Sequence, residues 1–375
     1  MKIACISASQ VPSGTANSIQ AMKVCQSLAQ TGQEVCLWLP GKVPTPWPAL
    51  AELYGLQTPF QVRWLKSRRV LRRYDFAWES LRQARAWGAE AVYTWVFQAA
   101  LLALWQGLPL LLELHDRPSG KVGPWLYRRV TAHKGKKRLL FITHALQQVL
   151  EREQGVTLPH DQAMIAPDGV DLECYQDLPS PEEARRQLDL PHGLTAGYTG
   201  HLYPGRGAEL LLYLAQRFPQ VNFLWVGGRP ADVEYWRART TEMERTNVHL
   251  TGFVPNRRIP LYQAAADILL MPYEQVITGS SGGNTAEVCS PMKMFEYMAA
   301  GRAILSSDLP VLREVLGEAN AVLCPPPPAG AAAWEAALAR LSASEDLRRR
   351  LSAQARRDVS QYTWRERAQR SLEGF

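Results

Sequence analysis

The sequence lacks the features of several large classes of protein. Its six cysteines form no C-x-x-C pair and have no histidine at ligand spacing, which argues against a zinc site or a disulfide framework. The longest apolar stretches, at 99–105 and 110–112, are far shorter than the roughly 20 residues that a membrane-spanning helix needs. The opening residues alternate like a strand and lack the basic and apolar regions of a signal peptide. We therefore expect a soluble, cytoplasmic protein.

Motifs for other ligands are also missing. No helix-turn-helix, zinc finger or RNP-like aromatic pattern occurs, so we expect no nucleic acid partner. Residues 7–14, SASQVPSG, do not provide the glycine fingerprint that a dinucleotide oxidoreductase carries after its first strand.

Length and charge favour two domains with different roles. A chain of 375 residues is long for one core and suits two domains of about 150–200 residues. With 46% hydrophobic residues and no long low-complexity tract, disorder is not expected. Residues 1–150 hold 19 Lys or Arg and 7 Asp or Glu, a net +12, whereas the remainder carries −5. This asymmetry indicates that the first domain meets an anionic surface or substrate.

Strand-length apolar runs alternate with amphipathic stretches throughout, which predicts an α/β fold with two Rossmann-like, doubly wound parallel sheets facing a cleft. The expected domains are 1–166 and 167–375, with turn residues 167–169 and polar residues 176–185 between them. Strands are predicted at 3–7, 34–39, 62–65, 91–93, 109–114 and 138–142 in the first domain, and at 196–199, 222–226, 248–250, 268–271, 303–306 and 321–323 in the second.

The segment SPMKMFEYMAAG, 290–301, predicts a helix whose amino end binds an anion. Ser290 suits the N-cap, Pro291 the first helical position and Gly301 the stop. Free backbone N–H groups and the helix dipole favour negative charge at such an end. Lys293 and Glu296 are three residues apart and share a face, which places a cation for phosphate beside an acceptor for sugar hydroxyls. An ordinary capped helix with an exposed Lys–Glu pair is the alternative.

Two strand ends carry further candidates. In YTGHLYPGRG, 198–207, glycines allow close approach to a ligand and Arg206 can form paired hydrogen bonds with phosphate oxygens. In LLLELHDRPSG, 110–120, His115 and Asp116 follow a buried strand of the first domain. The alternatives are a tight strand-to-helix turn and a structural histidine.

Together these motifs resemble the retaining glycosyltransferases of family 4, which have the GT-B fold. GHLYPGRG is similar to that family's glycine, arginine, lysine-glycine loop, and MKMFEYMAAG to the helix with the last glutamate of its two-glutamate motif. The further matches, in the same order and spacing, are VGGRP from Val226, TGFVPN from Thr251, MPYE from Met271, HD at 115–116 and PDGVD at 167–171.

The resemblance implies a role for each matching position. Glu296 would hold the nucleotide ribose, Arg206 the diphosphate, residues 252–254 the base, and His115 the donor sugar. The last helix, about 361–375, would return to the first domain. The implied catalytic residues are His115, Asp116, Arg206 and Lys293; the donor-binding residues are Gly200, His201, Gly207, Gly252, Phe253, Val254, Ser290, Met292 and Glu296; the acceptor-side residues are Ser13, Gly14, Thr15 and Asn17, the last also able to cap the following helix.

The chain departs from the family pattern at three places. His201 stands where the family usually has arginine, so Lys293 is expected to supply the missing charge. The first glutamate of the pair would fall at Val288, with Glu287 adjacent. The glycine- and serine-rich stretch at 274–289 is longer than the family needs, and is either a lid over the donor or a flexible loop.

We expect a metal-independent, retaining transfer of a hexose to a hydroxyl of a glycan, lipid or small molecule. No D-x-D sequence, the usual device for a metal-bound nucleotide diphosphate in the other major glycosyltransferase fold, is present. No cofactor is expected; the co-substrate is a nucleotide diphosphate sugar, with UDP-hexose first and GDP-mannose second. A nucleotide-sugar epimerase of this architecture and a non-catalytic two-domain binding protein are the alternatives.

The basic segment VRWLKSRRVLRRY, 62–74, leaves two interpretations open. Aromatic and aliphatic residues interleave with six basic ones, a composition that suits peripheral contact with an anionic membrane at the inner face. A solvated helix face has the same composition.

Overall fold

The structure, a computed structural model, describes residues 1–68, 71, 73–277 and 284–375. It divides into two compact units. The first contains Met1–Asp168 together with Trp364–Phe375, and the second contains Gly169–Thr363. The carboxyl-terminal segment therefore packs with the first unit. The boundary between the units, after Asp168, lies two residues later than the expected boundary at 166/167.

The first unit is a seven-stranded parallel sheet with the order β3-β2-β1-β4-β5-β6-β7. Its strands are β1 (Lys2–Ile6), β2 (Glu34–Pro40), β3 (Gln61–Leu65), β4 (Ala91–Thr94), β5 (Leu110–Leu114), β6 (Lys137–Phe141) and β7 (Ala163–Ile165). Its helices are α1 (Ala16–Gln30), α2 (Trp47–Tyr54), α3 (Tyr74–Trp87), α4 (Phe97–Trp105), α5 (Gly123–Ala132), α6 (His144–Gln154) and the carboxyl-terminal α14 (Trp364–Leu372).

The central strands of this sheet are apolar because helices cover both faces. Every residue of β4 and β5 is buried, as expected for parallel strands between two helical layers. The carboxyl-terminal helix α14 packs against α1. The sequence analysis missed β7, a strand at the sheet edge whose three half-buried residues, Ala163–Ile165, make only a very short apolar run.

The second unit is a six-stranded parallel sheet with the order β10-β9-β8-β11-β12-β13. Its strands are β8 (Thr195–Thr199), β9 (Asn222–Val226), β10 (Val248–Gly252), β11 (Ile268–Met271), β12 (Ala303–Ser307) and β13 (Val322–Cys324). Its helices are α7 (Pro181–Gln187), α8 (Ala208–Arg217), α9 (Pro230–Glu242), α10 (Ile259–Ala264), α11 (Met292–Ala300), α12 (Ala331–Ala343) and α13 (Glu345–Asp358).

The fold class is confirmed, because each predicted strand overlaps an observed one in a parallel sheet.

The sequence analysis interpreted the polar stretch 176–185 as a connection between the domains, but part of it is helical. It leads into α7, where the Ser180 side chain accepts a hydrogen bond from the backbone N–H of Glu183 and caps the helix. Polar composition concealed this short capped helix.

Two negative observations concern the described residues. No helix among them combines the length and the apolar character that a bilayer crossing requires. Within the same part of the chain, no disulfide joins the cysteines.

Candidate functional site

The second sheet has a topological switch point between β8 and β11, the position where open α/β sheets bind ligands. Residues 200–207 follow β8, and residues 272–277 follow β11. Gly207 has a φ of 75°, and a Cβ there would lie 2.0 Å from the carbonyl oxygen of Pro272. The two loops can therefore meet only because residue 207 has no side chain.

Arg206 lies between tyrosine rings from both loops. Its guanidinium carbon is 4.9 Å from the ring centroids of both Tyr203 and Tyr273, and its Nη2 donates to the Tyr203 hydroxyl at 2.6 Å. Burial lowers the pKa of Arg206, but the surrounding phenols more than offset this, so the pKa is raised. The guanidinium thus stays charged and is held by contacts with aromatic faces.

Lys293, in the first turn of α11, is a second basic residue beside these tyrosine rings. Its Nζ lies 4.0 Å from the ring centroid of Tyr198 and 5.4 Å from that of Tyr273. The Nζ atom is shielded from solvent and has no hydrogen-bond partner among the described residues. Burial first and then the charge of Arg206 lower the pKa of Lys293 well below its ordinary value, against the opposing charge of Glu296. An anion would relieve both effects.

His201 and Gly200 complete the loop after β8. His201 stacks on Tyr203, with ring centroids 5.3 Å apart, and burial followed by the charge of Arg206 lowers its pKa to about 4. His201 is therefore neutral near pH 7 and does not replace the family's fixed cation. A Cβ at Gly200 would lie 2.6 Å from Lys293 Nζ, so glycine leaves room for the ammonium group.

Helix α11 is anchored to the end of β8 through its own side chains. The Tyr297 hydroxyl accepts a hydrogen bond from the backbone N–H of Thr199 at 2.8 Å. Gln263 Nε2 donates to Glu296 Oε2 at 3.2 Å and to Thr199 Oγ1 at 3.3 Å. Glu296, the predicted ribose acceptor, thus lies near the end of β8, the strand that is followed by the loop carrying Arg206.

The predicted start of α11 was wrong by one position. The helix begins at Met292, and Pro291 rather than Ser290 occupies the N-cap position, with extended backbone angles and no side-chain cap. Because the backbone of Pro291 is extended rather than helical, with φ −77° and ψ 121°, the helix starts one residue later than predicted and Ser290 lies outside the cap position. Ser290 is buried, whereas Met292 is half-buried.

The predicted base-binding residues follow β10. Gly252 closes that strand with a φ of 73°, and its carbonyl accepts the N–H of Gly227 at 2.9 Å. The Phe253 side chain is 55% exposed, so its ring is available for stacking on a base. Val254 packs into an apolar cluster, so it can offer a ligand little beyond its backbone.

In the first unit, the predicted catalytic histidine immediately follows β5. The Nε2 atom of His115 lies 2.6 Å from Oε1 of Glu113, two residues earlier. Burial lowers the pKa of His115, but the hydrogen bond to Glu113 and its charge outweigh burial, so the pKa is raised. The neighbouring Asp116 accepts the backbone N–H of Arg117 at 2.7 Å.

The sequence analysis missed the buried network around Glu113. Its carboxylate accepts hydrogen bonds from Tyr93 and Gln20, and it pairs with Nη2 of Arg367, from α14, at 2.8 Å. Arg367 Nη1 also donates to the Tyr93 hydroxyl at 3.1 Å. Burial raises the pKa of Glu113, but the charge of Arg367 and the contact with His115 overcome it and hold the pKa at about 2.

Glu113, His115 and Asp168 place potential metal-ligating atoms within 4.8 Å of one another. The Arg367 guanidinium already supplies positive charge to this group, and both Glu113 oxygens accept hydrogen bonds. We therefore interpret the cluster as a buried ion-pair network that holds His115.

Three of the four predicted acceptor-side residues, Ser13, Gly14 and Thr15, lie between β1 and α1. Ser13 exchanges backbone hydrogen bonds with the Tyr54 hydroxyl, at 2.8 and 3.0 Å, and Gly14 is half-buried. Asn17 was predicted to cap α1, but the helix starts at Ala16, so Asn17 lies in its first turn and Thr15 takes the cap position.

The glycine- and serine-rich stretch at 274–289 is described only in part, since 278–283 lie outside the described residues. Its two described ends are joined, because Thr285 donates its backbone N–H to the Ile277 carbonyl at 2.9 Å. Val288, at the expected position of the first glutamate, is fully buried. The lid stays a prediction.

The basic segment 62–74 is also described only in part, because residues 69, 70 and 72 lie outside the described residues.

Other side chains that the sequence analysis did not single out are Tyr198, Tyr203, Arg229, Gln263, Tyr273 and Tyr297, all in the second unit. All but Gln263 lie inside recognised motifs, so aromatic residues next to the glycines and next to Glu296 were an available clue.

Comparisons with known proteins identify the family of the chain. The model "Glycosyltransferase Family 4" matches residues 18–174, and "Glycosyl transferases group 1" matches residues 193–344. TuaH of Bacillus subtilis, whose name describes a teichuronic acid biosynthesis glycosyltransferase, is 28% identical over 43% of this chain and 38% of its own. The phosphatidyl-myo-inositol mannosyltransferase of Mycobacterium tuberculosis is 27% identical over 59% and 55%. The chain thus matches about half the length of these relatives, or less.

Solved structures share the fold over nearly the whole chain. HepE of Anabaena in complex with UDP-glucose has a TM-score of 0.74 at 17% identity, covering 100% of this chain and 99% of its own. Sucrose-phosphate synthase of Thermosynechococcus elongatus has a TM-score of 0.74 at 18% identity, covering 99% and 97%. The chain therefore belongs to the glycosyltransferases of the GT-B fold, with a family 4 segment followed by a group 1 segment.

Proposed function

We propose that the chain transfers a hexose from a nucleotide diphosphate sugar to a hydroxyl acceptor, with retention of configuration and without a metal ion. One observation carries the proposal: Arg206, from the loop after β8, and Lys293, from the first turn of α11, both lie over the ring of Tyr273 at the switch point of the second sheet. Membership of the glycosyltransferases supports the class of reaction.

The two cations suit a leaving diphosphate. Negative charge grows on this group as the glycosidic bond breaks, so cations fixed beforehand stabilise the transition state more than the ground state. Lys293 is positioned for this role because its Nζ lies over the rings of Tyr198 and Tyr273 and lacks a hydrogen-bond partner among the described residues. Binding a diphosphate would raise the pKa of Lys293 and secure its charge.

The proposed retention follows from the resemblance to family 4. The departing phosphate oxygen would take the acceptor proton on the same face of the sugar, which needs no protein nucleophile. In the first unit, Glu113 is engaged by Arg367 and His115, so it does not present a free carboxylate for attack. His115, oriented through its Nε2, would contact the donor sugar.

We propose a UDP-sugar as the first donor and GDP-mannose as the second. HepE was solved with UDP-glucose, which supports the first donor, and the mycobacterial relative is named a mannosyltransferase, which supports mannose as the second sugar. The exposed Phe253 ring and the Glu296 carboxylate offer stacking for a base and an acceptor for ribose hydroxyls.

A panel of nucleotide sugars tests the function. A donor at 100 times its dissociation constant should stabilise the protein by roughly 2.7 kcal/mol in thermal unfolding. With that donor, the expected product is a new glycoside whose anomeric configuration, measured by NMR, matches the donor. An epimerised nucleotide sugar would show an epimerase instead, and binding without turnover a binding protein.

The same assay in excess EDTA tests metal independence. Because fixed cations are proposed to neutralise the diphosphate, transfer should continue at an unchanged rate. A loss of activity that magnesium or manganese restores would contradict this part of the proposal.

Replacing Lys293 with Met should separate catalysis from stability. If Lys293 stabilises the leaving group, kcat should fall by roughly 100-fold, the scale of losing one preorganised donor to a developing anion. The free energy of unfolding should not decrease, because a desolvated ammonium without a hydrogen-bond partner is costly to bury. Steady-state kinetics and urea unfolding measure the two effects.

Arg237→Ala, which removes an exposed cation from α9 of the same unit, is the matched control for Lys293→Met. Its kcat should stay near wild type. If Lys293→Met also retains near-wild-type turnover, Lys293 is not part of the diphosphate site and only balances Glu296.

A further inference from the structure

The described residues that line a cavity of about 450 Å³ all belong to the first unit. It is formed by residues at or after the carboxyl ends of β1 to β5 and at the start of α3. The lining residues are Ala8, Pro40, Ser67, Arg68, Arg73, Phe76, Gln98 and Ser119. We call this space the β1–β5 cavity. The predicted acceptor-side residues do not line it, although Ala8 belongs to the same loop.

The position of the β1–β5 cavity indicates a ligand site. In the order β3-β2-β1-β4-β5-β6-β7, the topological switch point falls between β1 and β4. Ala8 follows β1 and Gln98 lies at the start of α4, directly after β4, so the cavity opens at that point. Ser119 lies in the same loop as His115, which connects the cavity to the predicted catalytic strand end.

The charges around the β1–β5 cavity favour an anion. Arg68 and Arg73 both line it and both are exposed. Asp75 is the nearby acidic group, and its Oδ2 accepts the backbone N–H of Arg68 at 2.7 Å, in the first turn of α3. Phe76, fully buried, forms an apolar floor. Guanidinium groups bind phosphate and carboxylate through paired hydrogen bonds.

We propose that the β1–β5 cavity binds the acceptor, and that the acceptor carries an anionic group, phosphate or carboxylate, which Arg68 and Arg73 hold. The proposal rests on the proposed transferase function, which assigns the donor to the second unit and leaves the acceptor unspecified. It also accounts for part of the +12 charge of residues 1–150.

The anionic group has two possible sources, a soluble sugar acid or sugar phosphate, and a lipid headgroup. Both present the same oxygen acceptors to the arginines, but only the second requires a bilayer. A concave space of this volume accommodates one or two sugar rings or a single headgroup, which distinguishes it from a flat basic surface.

Calorimetry of the full chain with soluble probes gives the first test. Glucose 6-phosphate and glucuronate should bind more tightly than glucose, and the double variant Arg68→Ala/Arg73→Ala should weaken binding of the charged probes by roughly 10-fold or more. Arg85→Ala, an exposed cation near the opposite end of α3, is the control and should bind them like the wild type.

Flotation with phosphatidylglycerol and phosphatidylcholine vesicles gives the second test. Recovery with the anionic vesicles only, reduced in the double variant but not in Arg85→Ala, assigns the anion to a lipid headgroup. Binding of the soluble probes alone assigns it to a soluble acceptor. Equal behaviour of the double variant and the wild type toward every probe, or equal binding of glucose and its charged derivatives, overturns the proposal.

Thermal unfolding with UDP-glucose and GDP-mannose separates this inference from the transferase proposal. The donor shift belongs to the second unit and should be the same in the double variant and in Arg85→Ala. If no donor shift occurs but the arginines still bind the charged probes, the proposed donors are wrong and the anion site stands. If the donor still raises the unfolding temperature, but binding of the charged probes does not depend on Arg68 and Arg73, only the acceptor assignment fails.

Discussion

Arg206→Ala should lower kcat by roughly 100-fold or more, with a smaller effect on donor binding. Its guanidinium is fixed before the donor arrives, because two tyrosine rings and a hydrogen bond to Tyr203 hold it. An interaction that strengthens as the diphosphate leaves affects kcat more than the dissociation constant of the donor. Single-turnover kinetics and donor titration measure the two quantities separately.

Two further variants show whether Arg206 acts through its charge. Arg206→Lys keeps the charge but loses the planar fork and its contacts with Tyr203 and Tyr273, so it should recover only part of the rate. Arg237→Ala again serves as the exposed control, with kcat near wild type.

The double variant Arg206→Ala/Lys293→Met tests whether both cations act on one anion. Groups that stabilise the same charge show an interaction free energy, so the combined loss in kcat should differ from the product of the single losses. Strict multiplication would place the two residues on separate groups. A kcat for Arg206→Ala within a factor of two or three of wild type would remove the leading residue from the proposed site.

Local patterns sufficed to predict all the described strands except β7, and to single out Arg206 and Lys293, which the structure brings close to the ring of Tyr273. Strands such as Asn222–Val226 and Ile268–Met271 are short apolar runs between turn residues, and their predicted bounds match the structure. Arg206 and Lys293 lie in motifs whose position after a strand or at the start of a helix is a local property. Their convergence additionally required the order of the strands, which the structure supplies.

Features that depend on distant residues were not predictable from one sequence. The tyrosine faces around Arg206 come from segments 70 residues apart, at 203 and 273, and aromatic residues are common in any core. The carboxylate of Glu113 looked like part of an apolar strand, and its partner Arg367 is 254 residues away in a helix of strongly polar composition. Only the return of α14 to the first unit brings them together.

The Arg367–Glu113 pair leads to the largest expected effect on stability. Arg367→Ala should lower the free energy of unfolding by about 3–5 kcal/mol at pH 7, because it leaves a buried carboxylate without its counter-charge. Both side chains are at most 5% exposed, so solvent does not screen the pair. Arg370→Ala, an exposed residue of the same helix, should change stability by about 0.5 kcal/mol or less.

The pH dependence of the Arg367→Ala effect has a defined sign. In the wild type, the pKa of Glu113 is depressed from 4.5 to about 2, so its contribution to stability is present above about pH 4.5 and is lost as the pH falls toward 2. Without Arg367, burial raises the pKa of Glu113, and a protonated carboxyl is cheaper to bury. The difference between wild type and variant, measured by urea unfolding, should therefore shrink between pH 7 and pH 4.

A compensating variant separates the charge from the shape of the Arg367 side chain. Glu113→Gln/Arg367→Met removes both charges at similar volume and should recover most of the stability lost in Arg367→Ala, because replacing a whole buried pair is often neutral. The kcat of this double variant should stay below that of the wild type, because His115 would lose the neighbouring charge of Glu113 that raises its pKa. Equal stability of Arg367→Ala and Arg370→Ala at pH 7 would show that the pair does not support the strand end that carries His115.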